Sequence, residues 1–190
     1  MKTLLSFLLT ITLSNLVMGQ ITAVPDVNFE QALINLGYDF GTPDGTVITA
    51  NIDTVATLNI MNNNISDLTG IEDFAALNHL NCYGNLLASI NVTQNSALKI
   101  LQCTYNQLTS LNVTQNVDLT ELSCAANQLT NLDVTQNSEL TFLNCANNLL
   151  TSLDVTQNNL IDTFYCGLNQ LTSLNVTQNT DLIILSCFTN

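Results

Sequence analysis

Tryptophan is missing altogether and positive charge nearly so: 190 residues carry only two Lys and Arg together against 15 Asp and Glu, with one His and two Pro. Nucleic acid is excluded as a partner, because a phosphate backbone is held chiefly by Lys and Arg that release its counterions. An anionic membrane surface is disfavoured for the same reason, and the acidity serves first to keep the chain soluble. Aromatics make up 6% of the residues, so a core must come from many medium side chains in a regular array. No Gly-rich phosphate loop and no closely spaced zinc ligands occur, so neither a metal nor another cofactor is expected. At 46% hydrophobic and 9% charged, the composition suits a packed domain rather than disorder.

The first residues follow their own grammar. Lys2 precedes an apolar run from Leu4 to Met18 broken only by Ser, Thr and Asn, and Gly19 offers a small residue for cleavage. This is the pattern of a secretory signal peptide over 1–19, too short and too poorly flanked for a membrane-spanning helix. Its removal takes Lys2 with it and leaves Lys99 as the only strong base. No membrane insertion is expected after cleavage.

The rest is organised by a period. Cys82, Cys103, Cys124, Cys145, Cys166 and Cys187 stand at intervals of 21 residues. Asn85, Asn106, Asn127, Asn148, Asn169 and Asn190 each follow three residues later, and Leu87, Leu108, Leu129, Leu150 and Leu171 five later. The unit reads LxxLxCxxNxLTxL(D/N)VTQNxx and repeats over 77–97, 98–118, 119–139, 140–160 and 161–181; a further copy starts at Leu182 and stops at Asn190. A variant unit runs from Val55 to Ala76, with SDLTGIEDF in place of TSLNVTQN.

This pattern resembles the leucine-rich-repeat family, whose third apolar slot admits Cys, and the variant unit looks like the repeat of bacterial internalins. The resemblance implies a solenoid: a parallel β-sheet on the concave face, and extended segments and tight turns on the convex face, since the units are too short for a helix. About seven rungs are expected over 55–190. No rung is stable alone, so each buries its apolar face against its neighbours. Residues 20–54 are expected to form a small helical cap, with a helix starting at Asp26 or Asn28, running to about Leu36 and ending at Gly37. Phe29, Leu33 and Leu36 would face the first rung. The stop at Asn190, inside a repeat, reads as a fragment with an exposed last rung.

Position within the repeat decides the role of the cysteines and asparagines. Stacked in register about 4.8 Å apart, neighbouring Cys lie farther apart than the ~3.8 Å that a disulfide wants between its Cβ atoms. A ladder of buried free thiols is therefore expected. The Asn that follows each Cys is expected to satisfy peptide groups where the chain leaves the strand. The second column, Asn95, Asn116, Asn137, Asn158 and Asn179, is expected to shape the convex turn. Asp39 and Asp44, in the loop YDFGTPDG, read first as turn residues and only second as calcium ligands. Asn64, Asn91, Asn112 and Asn175 begin glycosylation sequons, a by-product of the repeat.

Function is expected on the concave face, where the residues flanking the inward Leu and Cys vary from rung to rung. His79, Tyr83, Ile100, Tyr105, Glu121, Phe142 and Tyr165 are the candidate binding residues there, an aromatic and polar mix on a sheet face normally left polar. Catalysis is not expected: Glu121 lies two rungs from His79, roughly 10 Å by strand spacing. The resemblance implies a secreted or cell-surface module that binds a protein, or a glycan, through the concave sheet. A purely structural spacer without a ligand is the alternative.

Overall fold

A computed structural model describes residues 19–190, so the signal-peptide reading falls almost entirely outside the described residues. After it comes a small cap, in which strand β1 (Ile21–Ala23) pairs antiparallel with β2 (Thr46–Ile48), Ile21 opposite Ile48. The sequence showed no sign of this pairing. Between the two strands lies helix α1 (Val27–Leu36). Its start is Asp26, whose Oδ1 accepts from the N–H groups of Asn28 and Phe29 at 2.9 and 3.0 Å. Its end is Gly37 at φ 81°: Gly37 N–H bonds Ile34 O and Tyr38 N–H bonds Leu33 O, both at 3.0 Å, which closes the orphan carbonyls of the last turn.

The buried face of α1 is Phe29, Ala32 and Leu33, with Phe29 stacked on Phe74 of the first repeat unit at 6.4 Å. Leu36 departs from expectation, being 44% exposed. It is the last helical residue, beyond the reach of the coil that α1 covers. Glu30 also departs from what a first-turn acid suggests. It is 1% exposed, and its two oxygens accept from the N–H groups of Asp44 and Gly45 at 2.6 and 2.8 Å, which ties the loop to the helix. The Asp44 side chain bonds the N–H and hydroxyl of Thr46, so this loop has the turn structure read from its sequence.

The remainder is the solenoid. Strands β3 (Thr57–Asn59), β4 (His79–Asn81), β5 (Ile100–Gln102), β6 (Glu121–Ser123), β7 (Phe142–Asn144), β8 (Thr163–Tyr165) and β9 (Ile184–Ser186) form one parallel sheet of seven strands in chain order. Thr57 pairs with His79, then His79 with Ile100, Ile100 with Glu121 and so on, so each repeat position becomes a column across the sheet. Each strand is three residues long and turns its middle residue inward; Leu58, Leu80, Leu101, Leu122, Leu143 and Phe164 are fully buried. The hydrogen-bond ladder runs past the strands: Cys103 N–H bonds Ser123 O at 2.8 Å, and Tyr105 N–H bonds Ala125 O at 3.1 Å. Beyond α1, the described residues hold only two short 3₁₀ turns, Thr49–Asn51 and Ile71–Asp73, and the convex side is turns and extended chain.

Two asparagine columns bind the rungs together, and they do so differently. Asn106 Nδ2 donates to Cys103 O of its own rung and to Cys82 O of the one before, each at 3.0 Å, while its Oδ1 accepts from Leu87 N–H at 3.1 Å. Asn127, Asn148 and Asn169 repeat this pattern, and Asn85 adapts it to the longer first unit. Asn190 is exposed and bonds Cys187 O. In the second column, Asn116 Nδ2 donates to Val92 O and Asn95 O at 3.0 and 2.9 Å. Here Oδ1 has no partner among the described residues, and the same holds for Asn95, Asn137, Asn158 and Asn179. These buried side chains act as donors only.

Five of the cysteines, Cys82, Cys103, Cys124, Cys145 and Cys166, are buried free thiols, and Cys187 is free but exposed. The ladder of buried thiols thus loses its last expected member, because no rung packs on the outer side of β9 among the described residues. Ile183 and Leu185 on that edge are 83% and 40% exposed.

Candidate functional site

The register places the expected binding residues on one face of the sheet but not in one column. His79, Ile100, Glu121 and Phe142 share the first column, Tyr165 belongs to the second and Tyr83 to the third. Ile100 stands between His79 and Glu121, so the one histidine and the one acid of the sheet face are not brought together. What the fold does bring together is rings. Tyr83 and Tyr105 meet edge to face at 5.4 Å, and Phe142 and Tyr165 meet at 6.0 Å in a tilted pair. Such pairs hold the rings at fixed angles at the cost of little side-chain entropy.

Tyr105 reaches this position through an unusual backbone. The residue two after each Cys has positive φ throughout: Gly84 67°, Tyr105 56°, Ala126 51°, Asn147 55°, Leu168 56° and Thr189 56°. Gly and Asn suit this left-handed region, whereas a bulky side chain is disfavoured there. Tyr105 and Leu168 are nevertheless held in it, 59% and 44% exposed, along the rim of the concave face. The sequence singles out Tyr105 as a binding residue on this face and not Leu168, and their shared backbone conformation has no compositional signature beyond Gly84 and Asn147.

Between the rims the floor is low. Thr104, Ala125, Ala146 and Gly167 follow one another across the rungs, and a Cβ on Gly167 would stand 2.8 Å from Phe188 O and 3.2 Å from its ring. Two hollows lie over this floor. One, of ≈ 320 Å³, is bounded by Met61, Tyr83, Gln102 and Ser123; the other, of ≈ 360 Å³, by Tyr105, Tyr165, Leu168 and Phe188. Phe188 and Met61 were not singled out as binding residues, although both belong to the third outward column. No group of three or more His, Cys, Asp or Glu that could hold a metal ion occurs among the described residues. No helix among them is long and apolar enough to cross a membrane.

The five buried thiols offer no chemistry to this face. Burial pushes Cys82 and Cys124 up to about 12 and Cys166 up to about 11, and drives Cys103 and Cys145 well above the ordinary thiol value, with their neighbouring thiols adding to the effect. A thiol held so far from ionisation is neither a nucleophile nor a ready metal ligand.

No protein-family model and no curated protein matches the chain. Solved structures do. The functional domain of InlJ from Listeria monocytogenes, which includes a cysteine ladder, is 35% identical with a TM-score of 0.74, over 90% of this chain and 44% of that one. A leucine-rich-repeat protein of Leptospira interrogans is 23% identical with a TM-score of 0.56, over 73% of this chain and 44% of that one. Internalin C2 of Listeria monocytogenes shares the fold, with a TM-score of 0.62 at 18% identity over 88% of both chains. The present chain thus spans 44% of the length of the first two. With its 21-residue period, its seven-stranded parallel sheet and its column of buried cysteines, the chain belongs to the leucine-rich-repeat solenoids and has the internalin-like form of the repeat.

Proposed function

We propose that the chain is an exported recognition module, secreted or displayed at the cell surface, that docks a macromolecular partner on its concave sheet and performs no catalysis. The repeat architecture is that of protein-binding modules in general. One observation carries the assignment of the face: Tyr83 with Tyr105 and Phe142 with Tyr165 form ring pairs on the outside of a sheet that has no need of them for its core. Exposed aromatic clusters on a soluble protein mark docking surfaces, because rigid rings offer much contact area for little entropy lost. Export is supported by the signal-like pattern at 1–19.

The test changes Tyr83, Tyr105 and Tyr165 to Ser together and follows adhesion of the parent cells, or capture of their surface ligands, by the purified chain. Loss of binding with an unchanged unfolding midpoint is the expected result. Full adhesion by the triple variant would return the chain to the spacer reading, in which the repeats set only a length.

A further inference from the structure

The two hollows on the concave face are parts of one groove, since Thr104 and Asn144 line both. None of its lining residues is charged, although the chain holds 15 carboxylates. We propose that this groove holds a linear, uncharged polysaccharide, its sugar rings laid across successive rungs. The inference rests on the concave sheet being the docking face and names what docks there.

Three features of the groove match that ligand. First, its polar groups are neutral and free. Asn81 and Asn144 use Oδ1 to accept from the N–H groups of Tyr83 and Ala146 at 3.1 and 3.2 Å, which commits the acceptor and leaves the amide hydrogens. Apart from a 3.9 Å contact between Asn81 Nδ2 and the Met61 sulfur, those hydrogens have no acceptor among the described residues. With Gln102 and Ser123 they form a row of amides and a hydroxyl, groups that donate to and accept from sugar hydroxyls without a charge to desolvate. Second, Tyr83, Tyr105 and Tyr165 present flat apolar faces with a polar tip, the complement of a pyranose with C–H faces and a hydroxyl edge. Third, the strands are about 4.8 Å apart, close to the length of one pyranose ring, so one sugar per rung keeps its register along the groove.

The strain on the rim supports a use for it. Tyr105 and Leu168 sit at φ 56°, where the equivalent residues include Gly84 and Asn147. Every rung takes this conformation at this position, so what is particular to Tyr105 and Leu168 is a bulky exposed side chain kept where Gly or Asn is less strained.

Calorimetry and tyrosine fluorescence on the purified chain, with neutral hexasaccharides of β-linked glucose, mannose and N-acetylglucosamine, and a polygalacturonate hexasaccharide as the charged control, test the proposal. At least one neutral probe binds, equally at low and high salt, and Gln102→Ala and Tyr105→Asn each weaken it about tenfold or more. Tyr105 is exposed and Gln102 half-buried on the outward side of β5, outside the core, so neither variant endangers the fold. Failure of every neutral probe, preference for the charged one, or indifference to both substitutions overturns the proposal. A periodate arm separates it from the broader reading. If oxidising the sugars of the target surface leaves adhesion intact while the triple Tyr→Ser variant abolishes it, the sheet docks a protein and the polysaccharide assignment falls alone. If the triple variant adheres normally, the docking face itself is wrong.

Discussion

Asp26 Oδ2 accepts from both the N–H and the hydroxyl of Ser66, at 2.8 and 2.7 Å, across 40 residues of sequence. The same oxygen takes Asp67 N–H at 3.0 Å, while Oδ1 caps α1. One carboxylate thus starts the cap helix and fastens it to the first rung, the end of a solenoid where edge protection matters most. Burial works against its ionisation, but the bonds from Ser66, Phe29 and Asp67 outweigh burial and hold its carboxyl below 3.8. A carboxylate depressed on folding stabilises above its unfolded pKa, and that stability is lost as pH falls through the folded one. Asp26→Asn therefore lowers the unfolding free energy by about 1 kcal/mol at neutral pH and Asp26→Ala by about 2 kcal/mol or more. Urea midpoints at pH 7 and near pH 3 check this. The gap between wild type and Asp26→Asn narrows at the acid end, and a gap that stays constant refutes the charge argument.

The exposed position of Cys187 makes the thiols an internal gauge of the register. A purified chain of residues 20–190, in which β9 is the outer edge, reacts with a thiol reagent once, at Cys187, without prior reduction, and at all six sites after unfolding. Cys187→Ser abolishes native labelling. Burial of the other five, with Cys82 raised to about 12, leaves no useful thiolate at neutral pH. Native labelling of a second cysteine, or a need for reductant, would show that the rungs do not stack as described.

The two asparagine columns respond differently to the same substitution. Asn137 donates to Val113 O and Asn116 O at 2.9 and 2.8 Å, and nothing donates to its Oδ1. Asn137→Ala strands two buried carbonyls and costs about 1–3 kcal/mol. Asn137→Asp costs more, because it sets a carboxylate against those carbonyls in a site with no exposure. Its deficit shrinks as pH falls and protonation restores one donor. Asn127 is half-exposed, and its Oδ1 accepts from Leu108 N–H at 2.9 Å. A carboxylate keeps that bond, so Asn127→Asp is no worse than Asn127→Ala. Chemical denaturation of the four variants gives the order directly.

The 21-residue period makes the columns legible in the sequence, because parallel strands stacked in register turn sequence spacing into position: Thr57, His79 and Ile100 stand side by side across the sheet. The period could not show which outward residues touch. Tyr105 meets Tyr83 only because its backbone turns left-handed, and Ala126 and Leu168 take the same turn with unrelated side chains. The cap was half legible. Asp26 and Gly37 punctuate α1 as their chemistry demands, whereas three-residue strands such as β1 carry too few residues for an alternation to show. Glu30 reads as a solvated first-turn acid and is buried because two distant N–H groups close on it.

The left-handed column separates stability from binding. Leu168, at φ 56°, is 44% exposed and lines the groove, while Asn147 takes φ 55° one rung earlier. A side chain larger than that of Gly costs about 1–2 kcal/mol in this conformation, and Asn tolerates it best among the others. Leu168→Asn therefore stabilises the chain by about 1 kcal/mol, visible as a higher urea midpoint with an unchanged slope. Tyr105→Asn gains less, because it forfeits the edge contact with Tyr83, a pair worth about 0.5–1.5 kcal/mol. Both variants bind the concave ligand more weakly while being at least as stable as the parent. A binding loss accompanied by greater stability excludes damage to the fold as its cause. Were Leu168→Asn to lower the midpoint, its left-handed backbone would be relaxed rather than strained, and the rim would lose its claim to having been kept for function.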